Sequence, residues 1–256
     1  MTNERRVLVH PDKASLAGAV AARFITKTLD ILDGQETAHL SLTGGSMGSA
    51  VLEAVWASPA QASIDWSRVH FWWSDERWLP EGDAERNDRQ ARDALLDRLQ
   101  LDAGQVHAMP AADSGLELDA AADRYAEELA RFGMDDLPHP IFDISFLGVG
   151  PDGHIASLFP HRSGIRVTDR TVIPVRNSPK PPPERLSLTR PVINSSQRIW
   201  LVLAGADKAS ALGLALAGAS RDEVPVAGIK GRRRTVFFVD QDAAAEVPEE
   251  LIAREY

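Results

Sequence analysis

Short apolar and β-branched runs alternate with amphipathic stretches along almost the whole chain, and that alternation leaves few folds open. Residues 6–10, 39–42, 69–73, 141–146, 199–204 and 235–239 read as strands. Between them, Leu16, Val20, Phe24, Leu29 and Leu32 form one helical stripe that Gly34 ends. Val51, Leu52 and Val55 mark a second helix. Residues 87–101, with Leu95, Leu96 and Leu99 inward, and residues 118–132 read as two more, and residues 208–217 as an Ala/Leu-rich one. Strands joined by helical crossovers favour right-handed units. The expected fold is α/β: a single doubly wound, largely parallel sheet with helices on both faces (Rossmann-like). Trp72 and Trp73, neighbours on one strand, point to opposite faces and call for cover on both. Residues 171–175 and 186–188 are shorter strand-like pieces around Ser178-Pro179-Lys180-Pro181-Pro182-Pro183, a rigid loop rather than a linker. No internal repeat is visible, and one domain over residues 1–256 is expected.

Charge and cysteine content narrow the function. Lys and Arg number 28 against 37 Asp and Glu, a net charge of −9 that argues against a nucleic-acid partner. The absence of cysteine removes disulfides, thiolate nucleophiles and Cys-ligated metals together. The stretch Met1-Thr2-Asn3-Glu4-Arg5-Arg6 lacks the apolar core of a leader, and no run reaches membrane-spanning length. A cytoplasmic protein with no membrane partner is expected. His10, His39, His70, His107, His139 and His161 show no ligand-like spacing, so they read as structural and no metal site is expected. The basic run Lys230-Gly231-Arg232-Arg233-Arg234 abuts the last strand and reads as a solvated loop.

Chemistry concentrates after the strands. Leu147-Gly148-Val149-Gly150-Pro151-Asp152-Gly153-His154 turns a buried run into a glycine-rich loop tipped by an imidazole. Ligands dock outside the carboxyl ends of strands in open α/β sheets. Glycines let the backbone approach them, and a histidine there moves protons near neutral pH. Thr43-Gly44-Gly45-Ser46 joins a strand to a helix start. It is either an anion site built from N–H groups and the Ser46 hydroxyl, or a tight turn capped by Ser46. Ser74-Asp75-Glu76-Arg77 ends the third long strand, where Asp75 could handle a proton and the Arg77 fork a phosphate. Lys208, in Gly205-Ala206-Asp207-Lys208, would add a point charge to another helix start. These features point to proton chemistry on a small anionic ligand.

In this order the fragments resemble the 6-phosphogluconolactonase family. Leu147–Pro160, followed by Ser178-Pro179-Lys180-Pro181-Pro182-Pro183-Glu184-Arg185-Leu186-Ser187-Leu188-Thr189, carries most of the likeness. Residues 43–46, 74–77 with Pro80 and Asn87, and 205–209 carry the rest. Met47-Gly48 replaces a Thr-Pro common in the family, and Arg86 stands where a serine is frequent. The resemblance implies hydrolysis of 6-phospho-D-glucono-1,5-lactone without metal or organic cofactor. It implies His154 as general base, steadied by Asp152 or Asp75, and the N–H groups of the turn, Gly150 and Gly153 among them, as oxyanion donors. Gly44, Gly45, Ser46, Arg77 and Lys208 would hold the phosphate, with Lys180 and Arg185 closing over that end. A monomer is expected. The competing readings are a glucosamine-6-phosphate deaminase or isomerase on the same scaffold, and a non-catalytic sugar-phosphate binder. Ser157 has no nucleophile-elbow sequence around it, which disfavours a Ser-His-Asp triad.

Overall fold

Six strands lie side by side in parallel, and every neighbouring pair in this sheet has the same sense. A computed structural model describes residues 4–252. The first three residues of the polar amino-terminal stretch and the last four of the chain lie outside it. The main sheet contains β1 (Glu4–His10), β2 (Ala38–Leu42), β3 (Val69–Trp73), β5 (Ile144–Leu147), β8 (Arg198–Leu203) and β9 (Arg234–Asp240), ordered β1-β9-β8-β5-β2-β3. A second, antiparallel sheet, ordered β4-β7-β6, is built from β4 (Asp75–Arg77), β6 (Val172–Val175) and β7 (Arg185–Leu188).

Strand periodicity sorts side chains between two cores. Ile199, Leu201 and Leu203 of β8 enter one cluster with Trp72, Tyr125, Phe142 and Phe237. Trp200 and Val202 enter the other with Trp73, Phe24, Phe146 and Phe238. Both tryptophans of β3 are fully buried, one in each core, because adjacent side chains on a strand face opposite ways. Helices α1 (Lys13–Gly34), α2 (Gly45–Ala57) and α3 (Asn87–Ala94) cover one face, and α4 (Leu118–Ala130), α5 (Arg190–Asn194) and α6 (Ala209–Leu216) the other. The long α1 starts on Asp12, whose carboxylate accepts Ser15 N–H at 2.7 Å. At its far end Arg68 donates to the carbonyls of Leu32, Gln35 and Glu36.

The structure shortens or redraws several expected elements. The strand read at residues 141–146 pairs only from Ile144, since Asp143 turns its carboxylate to the His39 N–H and Phe142 fills a core. The helix read as 87–101 stops at Ala94, where Leu95 leaves helical geometry (φ −146°, ψ −52°), and Leu96–Arg98 makes a separate 3-10 turn. Beside the expected parallel sheet stands the small antiparallel one, because β4 departs from the line of β3 and pairs with β7.

Candidate active site

The cleft lies where two neighbouring strands send their connections opposite ways. From β2 the chain crosses to β3 on one side, and from β5 to β8 on the other. Such a reversal leaves a crevice outside the carboxyl ends of the strands. Here the crevice has a volume of about 320 Å3 and is lined by the turns after β2, β5 and β8, by β4 and by the proline loop. A similar hollow of about 340 Å3 borders the same loop, lined by Phe159, Arg162 and Ile173 among others, but neither His154 nor the glycine turns reach it.

His154 lines the cleft, and Asp152, exposed and outside the lining, backs its imidazole. Imidazole Nδ1 lies 2.5 Å from Asp152 Oδ1, and the same oxygen is 3.5 Å from Lys180 Nζ. Partial burial works against ionising Asp152. The hydrogen bond and charge of His154, with Lys180, outweigh it and hold the carboxyl below the usual carboxylate range. With Nδ1 directed at a carboxylate, the ring is set in the tautomer that leaves Nε2 to accept a proton. Phe159 packs against the imidazole with ring centroids 4.6 Å apart. Gly150 is needed here because a Cβ at that position would sit 2.0 Å from His154 Nδ1.

Asp75 is engaged elsewhere. Its Oδ2 accepts the Ser157 hydroxyl at 2.7 Å, and Oδ1 lies 3.4 Å from Asn87 Nδ2. The sequence left open which carboxylate meets the imidazole, and the geometry puts Asp152 there. Asp75 still lines the cleft, together with Gly44, Gly45, Arg77, Asn87, Lys180, Arg185 and Lys208. Gly44 has to be a glycine, since a Cβ would meet Asn87 Oδ1 at 1.8 Å.

Three expectations need correction. Ser46 is exposed and does not line the cleft, and the cap position of α2 belongs to Gly44 without a side-chain bond. The N–H groups of Gly150 and Gly153 are spent inside the turn, on His154 O and Gly150 O at 2.9 Å each, so neither is aimed at a ligand. Arg185 is buried, and its guanidinium donates to the carbonyls of Lys180, Pro181 and Pro182, which makes it a tie for the proline loop. Gly45 N–H is also taken, by Gln90 Oε1 at 2.9 Å, which leaves the nearby side chains to meet an anion. Lys208 Nζ rests 2.8 Å from Asp207, and Arg77 donates to Glu85 O.

Sequence reasoning missed the support behind Arg77. Glu76, fully buried, accepts the N–H groups of Arg77, Asn87 and Asp88, and its Oε2 lies 3.8 Å from Arg86. Burial outweighs the pull of Arg86 and the N–H donors and pushes this carboxyl up to about 8. Arg86 also bonds Asp88 at 2.8 Å and Met109 O at 2.7 Å, which explains an arginine where the family often has serine. A glutamate beside a predicted strand end, eleven residues before a helix start, carries no local signal of this role.

A doubly wound sheet whose crevice is lined by a carboxylate-backed imidazole and several cations defines an α/β enzyme for a small anionic substrate. The chain belongs to the family of glucosamine-6-phosphate isomerases and 6-phosphogluconolactonases, whose profile matches residues 11–238. It is 49% identical over 255 residues to the 6-phosphogluconolactonase of Streptomyces coelicolor, with 98% of each chain covered. To that of Mycobacterium leprae it is 43% identical, covering 94% of this chain and 98% of the other. The solved 6-phosphogluconolactonase of Thermotoga maritima superposes with a TM-score of 0.81 at 27% identity, over 93% of this chain and all of that one.

Proposed function

We propose that the protein hydrolyses 6-phospho-D-glucono-1,5-lactone to 6-phosphogluconate in the oxidative pentose phosphate pathway. The observation that carries the mechanism is the 2.5 Å contact of His154 Nδ1 with Asp152 in a cleft that Arg77, Lys180 and Lys208 also line. Nε2 of His154 takes a proton from water as its oxygen bonds to C1 of the lactone. The C1–ring oxygen bond then breaks, and the imidazolium returns the proton to the departing oxygen. General-base help of this kind is worth roughly 10²–10⁴-fold. Asp152 holds the ring and favours the transient imidazolium. With the Gly150 and Gly153 N–H groups occupied, the ammonium of Lys180, 3.5 Å from Asp152, is the donor assigned to the developing oxyanion. Arg77 and Lys208 bind the phosphate at the other end.

The lactone is already an activated ester, so this reading asks for no cofactor. It is also a reading of one domain acting as a monomer in the cytoplasm, with no nucleic-acid partner. Among the described residues no helix is long and apolar enough to cross a membrane. The test is lactone hydrolysis at fixed pH, corrected for the spontaneous rate, beside a parallel assay on glucosamine 6-phosphate. Accelerated hydrolysis that falls 10²-fold or more in His154→Ala, with 6-phosphogluconate still bound, is expected. Ammonia release from glucosamine 6-phosphate, or binding without turnover, would overturn the assignment.

A further inference from the structure

Five residues around the imidazole close into a ring of contacts. His154 Nδ1 meets Asp152, and the same Asp152 oxygen meets the Lys180 ammonium. The Lys180 carbonyl accepts from Arg185 Nη2 at 3.2 Å, and the Arg185 guanidinium lies over the Phe159 ring, 5.7 Å from its centroid. Phe159 in turn packs on the imidazole, with 4.6 Å between centroids. The base and the cation assigned to the oxyanion are thus joined twice, once through Asp152 and once through Arg185 and Phe159.

The chemistry of proline explains why the second path is needed. Pro181, Pro182 and Pro183 carry no N–H, so this part of the loop cannot donate turn hydrogen bonds of its own. The mouth of the loop is held by Ser178 N–H on Pro183 O at 2.9 Å. Inside it, Arg185 supplies the missing donors: Nε to Pro182 O, and Nη2 to the Lys180 and Pro181 carbonyls. A rigid planar fork meets several carbonyls at fixed spacing, which an ammonium on a flexible stem does not. Phe159 reaches the stack because the chain doubles back after His154. Leu158 N–H donates to Ile155 O at 2.9 Å, and Ala156 sits in the left-handed region (φ 47°), uncommon for a residue with a Cβ. Phe159 is only 1% exposed and also lines the outer hollow, so its ring is the wall between that hollow and the imidazole.

We propose that Arg185 and Phe159 are positioning residues: together they hold the proline loop against the imidazole, so that His154 and Lys180 keep one relative geometry during hydrolysis. The kinetic part rests on the lactonase reading, and the ring of contacts is also tested without substrate. Arg185→Gln breaks the ties to the loop, whose carbonyls then turn to water, and Phe159→Leu removes the aromatic ring while keeping an apolar side chain. A melting curve checks that each variant folds. Misplacing a reacting group by about 1 Å costs about 10²-fold, so kcat is expected to fall by about that factor in each variant. KM and the calorimetric affinity for 6-phosphogluconate should stay within about threefold, as for groups that do not themselves hold the ligand. Proton NMR of the free protein is expected to resolve the His154 Nδ1 proton in the parent and to lose it to exchange with water in both variants. A kcat within about twofold of the parent, or a loss carried by KM and 6-phosphogluconate affinity instead, would overturn the proposal. So would an Nδ1 proton equally protected in all three proteins. A parent that hydrolyses no lactone would sink the reaction and not the ring, which the proton signal tests alone.

Discussion

Asp152 illustrates how much one carboxylate oxygen can be asked to do. The same Oδ1 meets the imidazole of His154 at 2.5 Å and the ammonium of Lys180 at 3.5 Å. Its charge therefore fixes the ring orientation and also draws in a cation from the proline loop. Replacing it with a neutral isostere tests this without changing shape. Asp152→Asn is expected to lower kcat by about 10²- to 10⁴-fold, the range of the general-base help that the carboxylate orients. KM should move far less, because Arg77 and Lys208 are untouched. Steady-state kinetics on the lactone would show the split. A kcat within twofold of the parent would remove Asp152 from support of the imidazole.

At the scale of elements, the segment from β4 into α3 is tied together by a buried polar network as well as by apolar packing, in which Ala91 and Ala94 enter a core. Glu76 caps the start of α3 with one carboxylate, and Arg86 answers it and Asp88 while both glutamate and arginine are only 1% exposed. Removing the cation strands the Asp88 carboxylate and leaves the Met109 carbonyl without its donor, and breaking a buried pair in this way costs about 3–5 kcal/mol. Arg86→Met is expected to lose that much stability in urea unfolding, and a loss below about 1 kcal/mol would show that the network is not what holds the segment. This part of the fold was not legible in the sequence. The parallel sheet was, because each of its strands is a local apolar run and each helix a local stripe. The antiparallel sheet depends on β4 meeting β7 more than a hundred residues away, which no local pattern encodes. In the site, the glycine turn, His154 and Arg77 were visible as residue types at strand ends. That the Gly150 and Gly153 N–H groups are spent within the turn, and that Arg185 ties the loop, follows only from hydrogen bonds counted in three dimensions.

For the molecule as a whole, acid stability turns on a histidine cluster at the end of the sheet away from the cleft. His39 stacks on His70 at 4.8 Å between ring centroids, His70 bonds His107 at 3.0 Å, and His107 meets Glu128 at 2.9 Å. Trp72 Nε1 donates to His39 Nδ1, so that ring is held as a neutral acceptor. Burial, then the neighbouring charges of His70 and His107, lower the His39 pKa to about 3. In the unfolded chain a histidine takes its proton near pH 6.5. Between those two values the unfolded state binds a proton that the folded state refuses, so stability falls as pH drops from about 6.5 towards 3. Burial lowers His70 and His107 in the same direction, and both add to the slope. His39→Gln keeps an acceptor for Trp72 without a titrating group. Its unfolding free energy should therefore change less than that of the parent between pH 7 and pH 5, even if it is lower at pH 7. Parallel urea titrations at the two pH values measure the difference, and equal slopes in parent and variant would mean that His39 is not the group refusing the proton.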